Sequence, residues 1–117
     1  MVASSNYNVI KKLDAINDDI ETVLIMYMAL GSIDALEGVD IYSVRHNFIT
    51  ADMVKSAHKN GIKIYAWTVN NEKRIREMLL MGVDSIITDN PYKTKEIVYA
   101  SRSTFLTLLM QKLLDEY

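Results

Sequence analysis

Two stretches constrain this chain more than any others: Gly61-Ile62-Lys63-Ile64-Tyr65-Ala66-Trp67-Thr68-Val69-Asn70 and Gly82-Val83-Asp84-Ser85-Ile86-Ile87-Thr88-Asp89-Asn90-Pro91. Each opens on a glycine of the kind that stops a helix, runs through β-branched or aromatic residues, and closes on polar residues suited to capping. That is the outline of a buried parallel strand whose carboxyl end opens into a loop and then another helix. The rest of the chain reads as copies of the same unit.

Taken in order, Val2 to Ser5 is a strand stub, and Asn6 is suited to cap a helix carrying Val9, Ile10, Leu13 and Ile16 at helical spacing. Asn17-Asp18-Asp19 ends it. Glu21 to Leu30 is apolar at successive positions, as in a strand covered on both faces. Gly31 and Gly38 bracket a short helical turn through Ile33 and Leu36, and Val39 to Val44 is the next strand. Thr50 caps a helix with Met53, Val54 and Ala57 inward, and Asn60-Gly61 stops it. The strand Ile62 to Val69 follows. Asn71 caps a helix whose Ile75, Met78 and Leu79 share a face, and Ser85 to Thr88 is the last strand. Asp89 or Asn90 caps a final helix with Pro91 in its first turn, continued by an apolar stripe at Leu106, Leu109, Met110 and Leu113.

Strand and helix thus alternate about five times, a pattern that imposes a parallel sheet with right-handed crossovers. Five units are too few for a closed eight-stranded barrel of roughly 250 residues, so the expected architecture is a small open α/β sheet or part of a barrel. At 117 residues and half hydrophobic, the chain suits one domain with a sizeable core. A net charge of −2 argues against a nucleic-acid surface, and the absence of cysteine excludes disulfides and thiolate metal sites. The longest apolar run, Val23 to Leu30, is too short for a bilayer, and the amino terminus lacks the features of a signal peptide, so the piece is expected to be soluble as given.

The pairing of Trp67-Thr68-Val69-Asn70 with Gly82-Val83-Asp84 and Ile86-Ile87-Thr88-Asp89-Asn90-Pro91 resembles the carboxyl-terminal end of the glycerophosphodiester phosphodiesterases. Val2 to Tyr7 and Ala57-His58-Lys59-Asn60-Gly61 extend the likeness, and Tyr27 through Tyr42-Ser43 is most similar to the bacterial membrane-anchored subgroup. The resemblance runs to about Val98 and implies an α/β fold: a partial (β/α)8 TIM barrel of about five parallel βα units, roughly its strands four to eight. It also implies what this chain lacks. The His-Arg-Gly motif, the Glu-x-Asp motif, the second catalytic histidine and the further metal-binding glutamate of the family have no counterpart here. No catalytic residue and no metal ligand is therefore expected in this chain. The calcium or magnesium of the complete enzyme would bind elsewhere, and no phosphodiester hydrolysis is expected unaided.

Among candidate site residues, Trp67 ends a strand on the side where barrel enzymes build their sites. The resemblance implies that it lines the substrate pocket as an apolar wall against the glycerol or alcohol moiety; simple core packing is the alternative. Tyr27 and Tyr42, on or near strand ends, are further substrate-binding candidates, with packing through a hydrogen-bonded hydroxyl as the competing reading. His58 lies near a helix end and suits a helix-end carbonyl contact, and His46 follows a strand without a carboxylate in sequence reach. Arg45 could meet a phosphate, although the subgroup carries another residue there. Asp89 is expected to cap the last helix, and Asp18, Asp19 and Glu21 to sit on the side away from the chemistry.

Two functions follow. One is the carboxyl-terminal portion of an enzyme that hydrolyses glycerophosphodiesters to glycerol 3-phosphate and an alcohol. The other is a non-catalytic half-barrel with a binding or assembly role. A sheet cut from a barrel leaves two unpaired edges, so a homo-oligomer is the expected partner, and a glycerophosphodiester only with a complete barrel. The stripe from Phe105 to Leu114 is poor in lysine and arginine, which favours packing on the barrel wall or on a second subunit over a membrane surface.

Overall fold

The computed structural model describes residues 1–27 and 36–115, with 103–109 and 115 described by their backbone only. The chain runs β1 (Val2–Ser4), α1 (Tyr7–Ile16), β2 (Thr22–Met26), β3 (Ile41–Arg45), a 3₁₀ turn (His46–Phe48), α2 (Ala51–Lys59), β4 (Lys63–Trp67), α3 (Glu72–Met81), β5 (Ser85–Ile86) and α4 (Pro91–Asp115). The strands form one parallel sheet of five in the order β1-β2-β3-β4-β5. They are shorter than the sequence suggests. The turn expected at Ile33 and the far end of the strand expected to reach Leu30 lie outside the described residues. Beyond β4 and β5 the pairing persists, since the Ile87 amide donates to the Ala66 carbonyl and the Val69 amide to the Ile87 carbonyl.

Helix starts follow the caps. The side chains of Asn6, Thr50 and Asn71 accept from the amides of Asn8, Met53 and Arg74 at 3.0, 3.2 and 3.3 Å. At α4 it is Asn90 that accepts, from the Lys93 amide at 3.2 Å. Asp89 does not take that role, because its carboxylate is engaged elsewhere.

Register separates the two faces of the sheet. Leu24 pairs with Tyr42 and Tyr42 with Ile64, while Val44 pairs with Ala66. These five join one buried cluster with Ile10 of α1, Met53, Val54 and Ala57 of α2, Ile75 and Met78 of α3 and Ile97 of α4. Among the described residues the four helices therefore cover the same face, and each fully buried aliphatic side chain there contributes about 1.5–3 kcal/mol. The alternate residues Val23, Ile41 and Ser43 are buried outside that cluster, on the helix-free face. Consecutive strand order with one-sided helices is the local arrangement of a (β/α) barrel wall.

One device fixes two strand entries. Gly38-Val39-Asp40 precedes β3 and Gly82-Val83-Asp84 precedes β5. Both glycines have positive φ, 82° and 86°. Asp40 then accepts the Thr22 amide on its carboxylate at 2.9 Å and donates its own amide to the Thr22 carbonyl at 3.2 Å. Asp84 does the same to Ile64, at 2.8 and 2.9 Å. Each aspartate thus clasps the strand next to its own at the amino end of the sheet.

Candidate functional site

Strand ends at the carboxyl side carry the aromatic candidates. Trp67 stands beside Arg45 in the register and alternates with helix-facing Ala66, so both belong to the helix-free face. The indole N–H donates to the Ser43 carbonyl at 3.1 Å, which fixes the ring plane. Tyr27 meets the indole edge-on, with centroids 5.5 Å apart and planes at 79°. An edge-to-face pair contributes about 0.5–1.5 kcal/mol beyond its buried area. Trp67 is half-buried and Tyr27 is 63% exposed, so the two rings make a corner with one side open to solvent. Chemically this is a largely aromatic wall, with the exposed Arg45 as the cation alongside.

Tyr42 follows the competing reading, packing through a hydrogen-bonded hydroxyl. It is 0% exposed within the helix-facing cluster, and its hydroxyl accepts the Leu36 amide at 3.0 Å. Its position in the strand, between Ile41 and Ser43, directs it away from the helix-free face.

His46 lies in the turn after β3 and is held by α3. Its Nδ1 accepts from Arg74 Nε at 3.2 Å, and its carbonyl accepts from the same guanidinium at 2.8 Å. Arg74 is also paired with Glu77. A ring whose Nδ1 accepts is neutral, with its proton on Nε2. Burial, then Arg74, then Arg45 lower the His46 pKa from 6.5. His58 finds a carboxylate rather than the helix-end carbonyl expected: Nε2 lies 2.7 Å from Asp84 Oδ2, the same oxygen that accepts the Ile64 amide. That ties the end of α2 to the β4–β5 junction, on the side opposite Trp67.

At the carboxyl ends a polar lock joins the last two strands. Asn70 accepts from the Asp89 amide at 2.9 Å and from the Thr88 hydroxyl at 3.0 Å, and donates through Nδ2 to the Asp89 carboxylate at 2.8 Å. Asp89 is therefore occupied in joining β4 to the residues after β5, which corrects its expected role as cap. Asp18, Asp19 and Glu21 border a shallow hollow with Asp40, Gly61 and Lys63 at the amino ends of the strands, away from Trp67. Among the described residues, no group of three histidine, aspartate or glutamate side chains converges so as to hold a metal ion. The donors present do not fit a divalent site, so no step through a metal is assigned to this chain. Arg74 gave no sequence signal of its own, and although Asn70, Thr88 and Asp89 stand in the two motifs, their contact across the strand ends shows only in the fold.

A model of the glycerophosphoryl diester phosphodiesterase family matches residues 6–93. The chain belongs to that family. A Bacillus subtilis (strain 168) relative, YhdW, is 45% identical over 49 residues, covering 42% of this chain and 20% of its own. The glycerophosphodiester phosphodiesterase of Caldanaerobacter subterraneus subsp. tengcongensis is 36% identical over 56 residues, 48% of this chain and 23% of that protein. Among solved structures, a glycerophosphodiester phosphodiesterase from Parabacteroides distasonis superposes with a TM-score of 0.73 at 25% identity, over 86% of this chain and 43% of that one. An Oleispira antarctica phosphodiesterase, in complex with the product sn-glycerol-3-phosphate, shares the fold with a TM-score of 0.68 at 17% identity, over 82% and 40%. The five parallel strands and the helices between them thus match part of the family's TIM barrel. This chain spans only about a fifth of the curated relatives' length.

Proposed function

We propose that this polypeptide acts as the carboxyl-terminal portion of a glycerophosphodiester phosphodiesterase, where it supplies one wall of the substrate pocket. The observation that carries this reading is the Trp67 indole at a strand's carboxyl end, on the helix-free face and buttressed by Tyr27 and the Ser43 carbonyl. In a completed barrel that face lines the interior, and the strand ends form the mouth where a substrate sits. Trp67 packs against the glycerol or alcohol part, Tyr27 closes the corner, and Tyr42 supports the wall from behind through the Leu36 amide. The general acid, the general base and the calcium or magnesium site come from the strands that this chain does not contain. Hydrolysis to glycerol 3-phosphate and an alcohol belongs to that complete form, as part of lipid and glycerol metabolism.

A second reading, a self-associating half-barrel without activity, draws support from the sheet borders. Among the described residues β1 and β5 each pair on one side only, which leaves backbone donors and acceptors open to another chain.

The test is an assay of the purified chain with glycerophosphocholine and calcium or magnesium. No turnover above the protein-free control is expected. Robust turnover would show that acid, base and metal ligands lie within these 117 residues. Reading the coding DNA upstream of Met1 separates the two functions, since a His-Arg-Gly and Glu-x-Asp segment there marks a longer enzyme.

A further inference from the structure

Three side chains meet at the carboxyl ends of β2, β3 and β4. Arg45 pairs with Trp67, and Met26 pairs with Val44, so Tyr27, the residue after β2, stands level with Arg45. Strands β2 and β4 flank β3, and two inter-strand steps span about 10 Å. The rings of Tyr27 and Trp67 nevertheless meet with centroids 5.5 Å apart. They therefore lean together across β3 at the level of Arg45, whose place in the strand puts it on the same helix-free face.

Arg45 is exposed and makes no hydrogen bond or ion pair among the described residues. Its charged neighbours at this end of the sheet are engaged. Arg74 pairs with Glu77 and holds His46, whose ring stays neutral. The Asp89 carboxylate accepts from Asn70 and follows β5, two strands from Arg45 and so about one Debye length away. Arg45 itself lies close enough to His46 to help lower that ring's pKa. The corner thus offers two aromatic surfaces and a guanidinium with unused donors, a combination suited to an oxyanion carried on an organic group.

We propose that Arg45 selects the substrate by the charge of its alcohol: the wall takes glycerophosphodiesters whose alcohol bears an anion of its own, a carboxylate or a further phosphate, over those whose alcohol is cationic. The inference rests on the pocket-wall reading above and adds to it which alcohol the wall accepts. An exposed aromatic pair alone would favour a quaternary ammonium group through the ring faces. Here one ring turns its edge to the other at 79°, and a full positive charge stands on the strand between them. A cationic alcohol meets repulsion there, whereas an anionic one gains a forked pair of charge-assisted hydrogen bonds.

The test uses this chain completed by the amino-terminal half of a family barrel, assayed at about pH 8, where the His46 ring is neutral with or without Arg45. Each substrate pair differs by one anionic group: glycerophosphoserine against glycerophosphoethanolamine, and glycerophosphoinositol phosphate against glycerophosphoinositol. The value of kcat/KM is expected to favour the anionic member of each pair by about tenfold or more, the ratio that one charge-assisted hydrogen bond supplies. Arg45→Gln is expected to bring both ratios to about one, and Arg45→Lys to keep part of the preference. Native circular dichroism is expected in both variants, since the side chain is exposed and unpaired. Native ratios near one, or ratios unchanged in Arg45→Gln, would overturn the inference. So would an equal loss with every substrate, which would place Arg45 on the phosphate common to them. Trp67→Ala separates the two claims. If it keeps native kcat/KM throughout, the pocket wall itself is lost; if it loses activity while the Arg45→Gln ratios stay native, only the charge selection fails. A completed barrel without turnover would remove both.

Discussion

At His46 the fold sets the ionisation of a single side chain. Its Nδ1 accepts a hydrogen bond from Arg74, so a second proton on the ring would set an N–H against a guanidinium. Its folded pKa is lowered from 6.5, by burial first and then by Arg74 and Arg45. Below 6.5 the unfolded chain takes up this proton before the folded one does, and the linkage sign follows. The stabilising effect is fully present above pH 6.5 and declines as the pH falls through 6.5 toward the folded value. Urea unfolding at several pH values is expected to show stability falling on acidification more steeply for the native chain than for His46→Asn, which keeps an acceptor but does not titrate. Equal slopes would mean that Arg74 does not hold the neutral ring. Sequence could not reveal this pair, because His46 and Arg74 come from different βα units and meet only when α3 packs beside β3. Trp67 was legible from its place at a strand end, whereas Tyr42 was not: one residue of register separates the helix-free face from the core, and the apolar run around it gives no alternation to count.

Between elements, aspartates do the joining. Asp40 holds the first amide of β2 and Asp84 the second of β4, and Asp84 also receives His58 from α2. Removing the Asp84 carboxylate leaves the Ile64 amide, at the buried start of β4, without its side-chain acceptor. Such a loss is worth about 1–3 kcal/mol. Asp84→Ala is therefore expected to lower stability in urea by that amount, and His58→Ala by less, since the Ile64 amide keeps its acceptor. Equal losses for the two variants would mean that the histidine contact, not the amide clasp, holds the junction. The Gly-Val-Asp triplet stands twice in the sequence, and its repetition was the available signal for this device. Helix starts were readable because Asn6, Thr50 and Asn71 are side chains that prefer caps. The choice between Asp89 and Asn90 was not, because it turns on which of two adjacent polar residues Asn70 engages across the sheet.

For the whole molecule, alternation of strand and helix was enough to define a parallel α/β sheet with right-handed crossovers, and the family's motifs placed it within a barrel. The length of α4 was less legible, since an apolar stripe does not reveal whether it rests on its own sheet or reaches beyond it. What the assembled sheet presents on its helix-free side is a wall: Trp67 and Tyr27 at the strand ends, Arg45 beside them, and no convergent acid–base or metal cluster among the described residues. Trp67 is the chain's single tryptophan, so its emission reports this wall alone. The most direct measurement is a titration of that emission in this chain completed by a tryptophan-free amino-terminal half of a family barrel, with sn-glycerol 3-phosphate compared with inorganic phosphate at equal ionic strength. A saturable change that phosphate does not reproduce is expected, because in the proposed pocket the ring packs against the glycerol part. No change, or the same change with phosphate alone, would contradict the assignment of Trp67 to the pocket.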